Sequence, residues 1–115
     1  MKVDKPWGWY YNLTPATTVV NHGYLAKELH INKGHRLSLQ RHQHRSEHWI
    51  VVKGEGLFEC DGQVQTITPG MHVHIPKRSV HRLTAQDQDI RIVEVQLGDL
   101  IFEDDIERLE DDYER

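Results

Sequence analysis

A chain of 115 residues and 13.5 kDa has room for one compact domain and not for a second hydrophobic core. Its formal charge of -4, from 14 Lys and Arg against 18 Asp and Glu, carries no basic surplus and argues against a nucleic-acid partner, while a local pocket for one small anion stays open. Cys60 is the single cysteine, so no internal disulfide forms; Met1–Tyr11 lacks a signal-peptide run and no stretch of about 18 apolar residues marks a membrane span, so the expectation is a cytoplasmic protein with no membrane partner.

The chain reads as one domain over 1–115, in three parts. The N-terminal segment, 1–23, carries Trp7, Trp9, Tyr10 and Tyr11, an apolar cluster that either covers one end of the domain or pairs two copies; a homodimer is expected. The core barrel, 24–97, is a series of strand-length segments: Tyr24–Ile31, Leu37–His44, His48–Lys53, Gly56–Cys60, Val64–Thr68, His72–Ile75, His81–Thr84 and Ile90–Gln96. Turn chemistry separates them, at Asn32-Lys33-Gly34, Gly54-Glu55-Gly56, Asp61-Gly62, Pro69-Gly70 and Pro76-Lys77-Arg78-Ser79. Sustained helical periodicity is absent from this stretch, which points to an all-β antiparallel sandwich or barrel. The C-terminal segment, 98–115, is dense in Asp and Glu. Ile106, Leu109 and Tyr113 recur there at spacings of three and four, the pattern of a short helix, with a solvated acidic tail as the alternative.

Because strand side chains alternate between faces, Arg36, Ser38, Gln40, His42 and His44 share one face, with Leu37 and Leu39 on the other. Glu47, at the entry of the next strand, can turn toward the same interior, and His81, after Gly70 and Pro76, can return beside His42. Burying such groups without partners costs roughly several kcal/mol. Two imidazoles, a carboxylate and an amide oxygen instead form a nitrogen and oxygen set suited to one divalent ion, Zn first, then Mn, Co, Fe or Ni. His44 shares the face of Gln40 and His42. His72 and His74 share a strand face that can line the barrel, while His48 and Trp49 read as packing residues.

The spacing resembles the cupin motifs. Gly34, five residues, Gln40-Arg41-His42, four residues, Glu47, six residues and Gly54 match the first, with Gln40 in place of a histidine. Gly70, Pro76 and His81 match the second, with Arg78 in place of its glycine and Ala85 in place of its asparagine. A closer resemblance is to the cupin domain of type II phosphomannose isomerases. It runs through Lys5-Pro6-Trp7-Gly8, the block from Gly34 to Trp49, Ile75-Pro76, His81-Arg82-Leu83, Val93-Glu94-Val95-Gln96 and Glu103-Asp104-Asp105-Ile106.

That resemblance implies a double-stranded β-helix fold with a metal on Gln40, His42, Glu47 and His81. It also implies interconversion of mannose 6-phosphate and fructose 6-phosphate through a cis-enediol. A proton carrier is then required, for which His44, Glu94 and Lys53 are candidates, and a phosphate site, for which Arg36, Lys77, Arg78 and Arg82 are candidates. The glycine-rich nucleotide-binding segment of the guanylyltransferase that usually accompanies this domain has no counterpart in the chain, so nucleotide transfer is not expected; a separate guanylyltransferase polypeptide stands among the candidate partners. Two other functions fit the same residues. One is an oxygen-using non-haem cupin on His42, Glu47 and His81; the other is a noncatalytic carbohydrate-binding or regulatory module.

Overall fold

The computed structural model describes residues 2–14, 19–20 and 23–113, and every regular element among them is a strand. In chain order these are β1 (Lys2–Lys5), β2 (Gly8–Asn12), β3 (Val19–Val20), β4 (Tyr24–Ile31), β5 (Leu39–Arg41), β6 (Ser46–Lys53) and β7 (Gly56–Cys60). The chain continues with β8 (Gln63–Ile67), β9 (His72–Ile75), β10 (His81–Thr84), β11 (Ile90–Leu97), β12 (Ile101–Phe102) and β13 (Glu107–Glu110). No helix among the described residues is long and apolar enough to cross a membrane.

Two antiparallel sheets face each other, one in the order β1-β2-β4-β11-β6-β9 and one in the order β13-β5-β10-β7-β8. The expected hairpin turns stand where Gly34, Gly54, Gly62 and Gly70 take positive φ. Of these four turns Gly54 admits least: at φ 79° a Cβ would also collide with the carbonyl oxygen of Asp89. That close approach accounts for the glycine at the end of the first motif. The first sheet reaches further toward the N-terminus than the barrel read from the sequence, because β2 pairs along β4 from Gly8–Ile31 to Asn12–Lys27.

Strict alternation gives the larger sheet its inner face. β4 turns Lys27, Leu29 and Ile31 inward, β6 turns Glu47, Trp49 and Val51, and β11 turns Ile90, Ile92, Glu94 and Gln96. The register places Glu94 opposite both Lys27 and Trp49, and Gln96 opposite Glu47. One end of the interior is therefore apolar, where Ile31, Ile90 and Ile92 meet Ile67, Leu83 and Phe58 of the other sheet, all nearly inaccessible. Each such aliphatic or aromatic side chain contributes roughly 1.5–3 kcal/mol by leaving water. The other end is polar and holds the candidate site.

One expectation is corrected here. Among its described residues the C-terminal segment forms no helix: β13 pairs with β5, and its carboxylates meet arginines of the barrel, Glu107 with Arg41 at 2.7 Å and Glu110 with Arg82 at 3.0 Å. The sequence spacing reads as helical, but an exposed Leu109 gives a helix little to bury, whereas strand pairing satisfies the open edge of β5. The aromatic cluster near the N-terminus largely covers the domain itself. Trp7 is buried in the core, Tyr10 packs against it, and Trp9 lies flat on His30 with ring centroids 5.2 Å apart.

Candidate metal centre

Three side chains converge at the polar end: His42 from the loop after β5, Glu47 from β6 and His81 from the start of β10. All are nearly inaccessible, and one ligand atom from each lies within 4.8 Å of the others. His42 Nε2 stands 3.1 Å from Glu47 Oε2, and the two imidazole rings are 5.2 Å apart. Gln40 faces His81 across the β5–β10 pair and lines the same cavity; its amide nitrogen reaches the Ser38 hydroxyl at 3.2 Å, which leaves the amide oxygen available to a cation.

The backbone fixes the tautomers. His42 Nδ1 lies 2.6 Å from the carbonyl of Asp105 and His81 Nδ1 lies 2.9 Å from the carbonyl of Ser79. A carbonyl only accepts, so both protons sit on Nδ1 and both Nε2 atoms carry the lone pair, that of His42 approached by Arg45 Nη2 at 3.4 Å; this is the tautomer by which proteins orient histidines toward metals. Burial, reinforced by the Arg45 cation, lowers the His42 imidazole to about 4; burial likewise lowers His81. Neutral imidazoles beside a carboxylate, with no thiolate, suit a borderline or hard divalent ion, so the residues present fit the metal that the motif implies.

Behind this cluster lies a second carboxyl. Glu94 is buried, and Trp49 Nε1 donates to Glu94 Oε1 at 3.1 Å and to Glu47 Oε1 at 3.0 Å. Gln96 donates to Glu94 Oε2 at 2.9 Å. Burial, with the Glu47 carboxylate beside it, raises Glu94 to about 7. Arg45, also buried, donates through Nε to Glu47 Oε2 at 2.9 Å, with Nη2 3.4 Å from His42 Nε2.

A cavity of about 110 Å³ opens from this group to solvent. Glu94 lines it; the other two proton-carrier candidates do not. His44 is exposed with its ring 5.7 Å from Phe102, and Lys53 is exposed at the far end of β6. The alternation that would place His44 beside His42 stops at Arg41, where β5 ends. The following loop is pinned by Asp105, whose carboxylate accepts from the backbone N–H groups of Gln43 at 2.8 Å and His44 at 2.9 Å.

The phosphate candidates also stand outside the cavity. Arg36 grips Asp112 with two bonds of 2.6 and 2.8 Å, and Arg82 is buried with Nε on the carbonyl of Leu37 at 2.9 Å and Nη1 on Glu110. Lys77 and Arg78 are exposed on the turn before β10. The cations that do line the cavity are Lys5, Lys27, Arg45 and Arg108. Sequence reading passed over them, although Lys27 and Arg45 carry a visible signal: each keeps the two-residue step of an inward row, Lys27 with Leu29 and Arg45 with Glu47.

Comparison with known proteins gives the family and the fold. A family model described as the C-terminal part of mannose-6-phosphate isomerase matches residues 1–111. The chain is 42% identical over 115 residues to the alginate biosynthesis protein AlgA of Pseudomonas aeruginosa, across 99% of this chain and 23% of that protein. Identity to the xanthan biosynthesis protein XanB of Xanthomonas campestris is 36%, across 99% of this chain and 24% of that one. The chain thus spans about a quarter of the length of these relatives. Among solved structures, an RmlC-like cupin from Shewanella frigidimarina superposes with a TM-score of 0.72 at 19% identity, covering 85% of this chain and 83% of its own; at that identity the likeness speaks for the fold alone. The fold is a cupin, and the chain belongs to the mannose-6-phosphate isomerase C-terminal family.

Proposed function

We propose that this chain is a metal-dependent aldose-ketose isomerase that interconverts mannose 6-phosphate and fructose 6-phosphate through a cis-enediol. The observation that carries the reading is the placing of Glu94, a carboxyl outside the His42–Glu47–His81 cluster, in the same cavity as Glu47 and His81 of that cluster. Isomerisation requires stabilisation of charge on two neighbouring sugar oxygens and one group that moves a proton between C2 and C1. A divalent ion on Gln40, His42, Glu47 and His81, Zn first among Mn, Co, Fe and Ni, would supply the Lewis acid.

Glu94 takes the proton-carrier role, since His44 and Lys53 are directed elsewhere. Trp49 and Gln96 hold its two oxygens in place, so the carboxylate meets the sugar without reorganising. Lys5 and Arg108, at the solvent edge, receive the phosphate end, and the buried Lys27, paired with Glu103 at 2.6 Å, adds its positive charge behind them. Arg45 stays on Glu47 and fixes the carboxylate that holds the ion.

The test is to strip the protein of metal, restore single ions, and follow mannose 6-phosphate by NMR in deuterated water. Fructose 6-phosphate with deuterium wash-in is expected, lost in His42→Ala and His81→Ala, and lost in Glu94→Gln with metal still bound. Absence of turnover with every ion would end the isomerase reading. Oxygen uptake with Fe(II) would then favour the oxygen-using function that two histidines and one carboxylate also support, and ligand-induced stabilisation alone would favour a binding module.

A further inference from the structure

The back of the same sheet carries a second set of imidazoles. On β6 the side chain after Glu47 points outward, and on β9 both histidines do, so His48, His72 and His74 share the solvent face rather than lining the barrel. The register sets His48 directly opposite His74, and His72 one step along, opposite Ile50. His48 Nδ1 and His72 Nε2 are 2.9 Å apart, in rings 5° from parallel with centroids separated by 5.1 Å. With the nitrogens that close, this centroid spacing means two rings edge to edge in one plane, their nitrogens aimed at each other. His74 lies against the face of His48, centroids 4.5 Å apart.

The two nitrogens share one proton as a hydrogen-bonded pair. An ion displaces that proton once the rings turn so that their lone pairs converge on it, and an all-imidazole ligand set suits Cu²⁺ or Ni²⁺. We propose that His48, His72 and His74 form a second transition-metal site that takes Cu²⁺ or Ni²⁺, His74 joining by rotation of its exposed side chain. The site shares no ligand with the buried cluster, because Glu47 and His48 face opposite sides of β6.

The location gives the ion a structural consequence. β9 is the last strand of its sheet, and an ion held by His48 on β6 and by His72 and His74 on β9 ties that open edge to its neighbour. Ligation at this face therefore stabilises the fold whether or not the interior site is catalytic.

The experiment is calorimetric titration of the untagged protein with Ni²⁺, beside the variant His72→Ala/His74→Ala. Both substitutions are at exposed positions, and circular dichroism checks that the variant keeps its sheet content. The wild type is expected to take up one equivalent more than the variant, and the Cu²⁺ form to show nitrogen couplings in its electron paramagnetic resonance spectrum that the variant loses. Equal uptake by the two proteins would overturn the proposal, as would a Cu²⁺ spectrum unchanged by the substitutions. Because the readout is a difference in stoichiometry, it holds whatever occupies the buried cluster.

Discussion

His42 Nε2 faces Glu47 Oε2 at 3.1 Å while the His42 Nδ1 proton is held by the carbonyl of Asp105, so a nitrogen lone pair and a carboxylate oxygen confront each other in a buried place. Two acceptors at that distance repel unless a cation lies within reach of both. Arg45 partly answers this from one side, through its bond to Glu47 and its approach to His42.

A divalent ion should therefore stabilise the fold markedly. At a free concentration a hundredfold above Kd, binding contributes about 2.7 kcal/mol, on the order of 10 °C in Tm for a domain of this size. Thermal unfolding with Zn²⁺ and with EDTA checks this, in the His72→Ala/His74→Ala background so that the exterior histidines do not contribute. Equal midpoints would remove the case for an interior ion.

The metal-free protein should lose stability as pH falls from about 6.5 toward 4. His42 is lowered to about 4 in the folded state and His81 is lowered too, so the unfolded chain binds the extra protons first. Glu94, raised to about 7, takes up its proton in the folded state first and opposes this over the same window. Urea midpoints are therefore measured between pH 7 and 4 with EDTA in the Glu94→Gln variant, where that carboxyl is absent; they should decline, and a flat profile there would contradict the neutral, buried imidazoles.

Lys27 and Arg82 separate the sugar-phosphate site from the fold. Lys27 lines the cavity in an ion pair with Glu103 at 2.6 Å, and Lys27→Ala should raise KM for a sugar phosphate about tenfold or more, since it removes a close cation and leaves that carboxylate facing the phosphate. Arg82 clamps β13 through Leu37 and Glu110, so Arg82→Ala should cost about 2 kcal/mol in stability with KM little changed. Steady-state kinetics and denaturation of both variants decide the matter; a KM effect at Arg82 with none at Lys27 would reverse the assignment.

Arg78 sits at φ 69°, in the left-handed region, at the position where the second cupin motif has glycine. Its backbone N–H nevertheless makes a native bond, to the carbonyl of His42 at 2.7 Å, which ties this turn to the metal loop. Arg78→Gly relieves backbone strain of about 1 kcal/mol, offset in part by the freer unfolded chain, so stability should rise slightly or stay level. Turnover should be unchanged, because the side chain is exposed outside the cavity. A large fall in turnover would restore Arg78 as a phosphate contact.

Local sequence determined a good deal: the strand-length segments, the glycine turns between them, and the spacing that singles out His42, Glu47 and His81. These depend on alternation within one strand or on the backbone freedom of one residue, both local properties. What only the tertiary structure decided is which groups of the same type face inward. His44 leaves the interior because β5 ends at Arg41, and His72 and His74 face solvent because β9 packs Val73 and Ile75 into the core. Arg36 and Arg82 look free for a phosphate until Asp112, 76 residues beyond Arg36, and Glu110, 28 beyond Arg82, bind them. Lys27 and Glu94 become neighbours of Trp49 and Glu47 only through the register of β4, β11 and β6. Such pairings bring together residues distant in the chain, and no periodicity along a single strand encodes them.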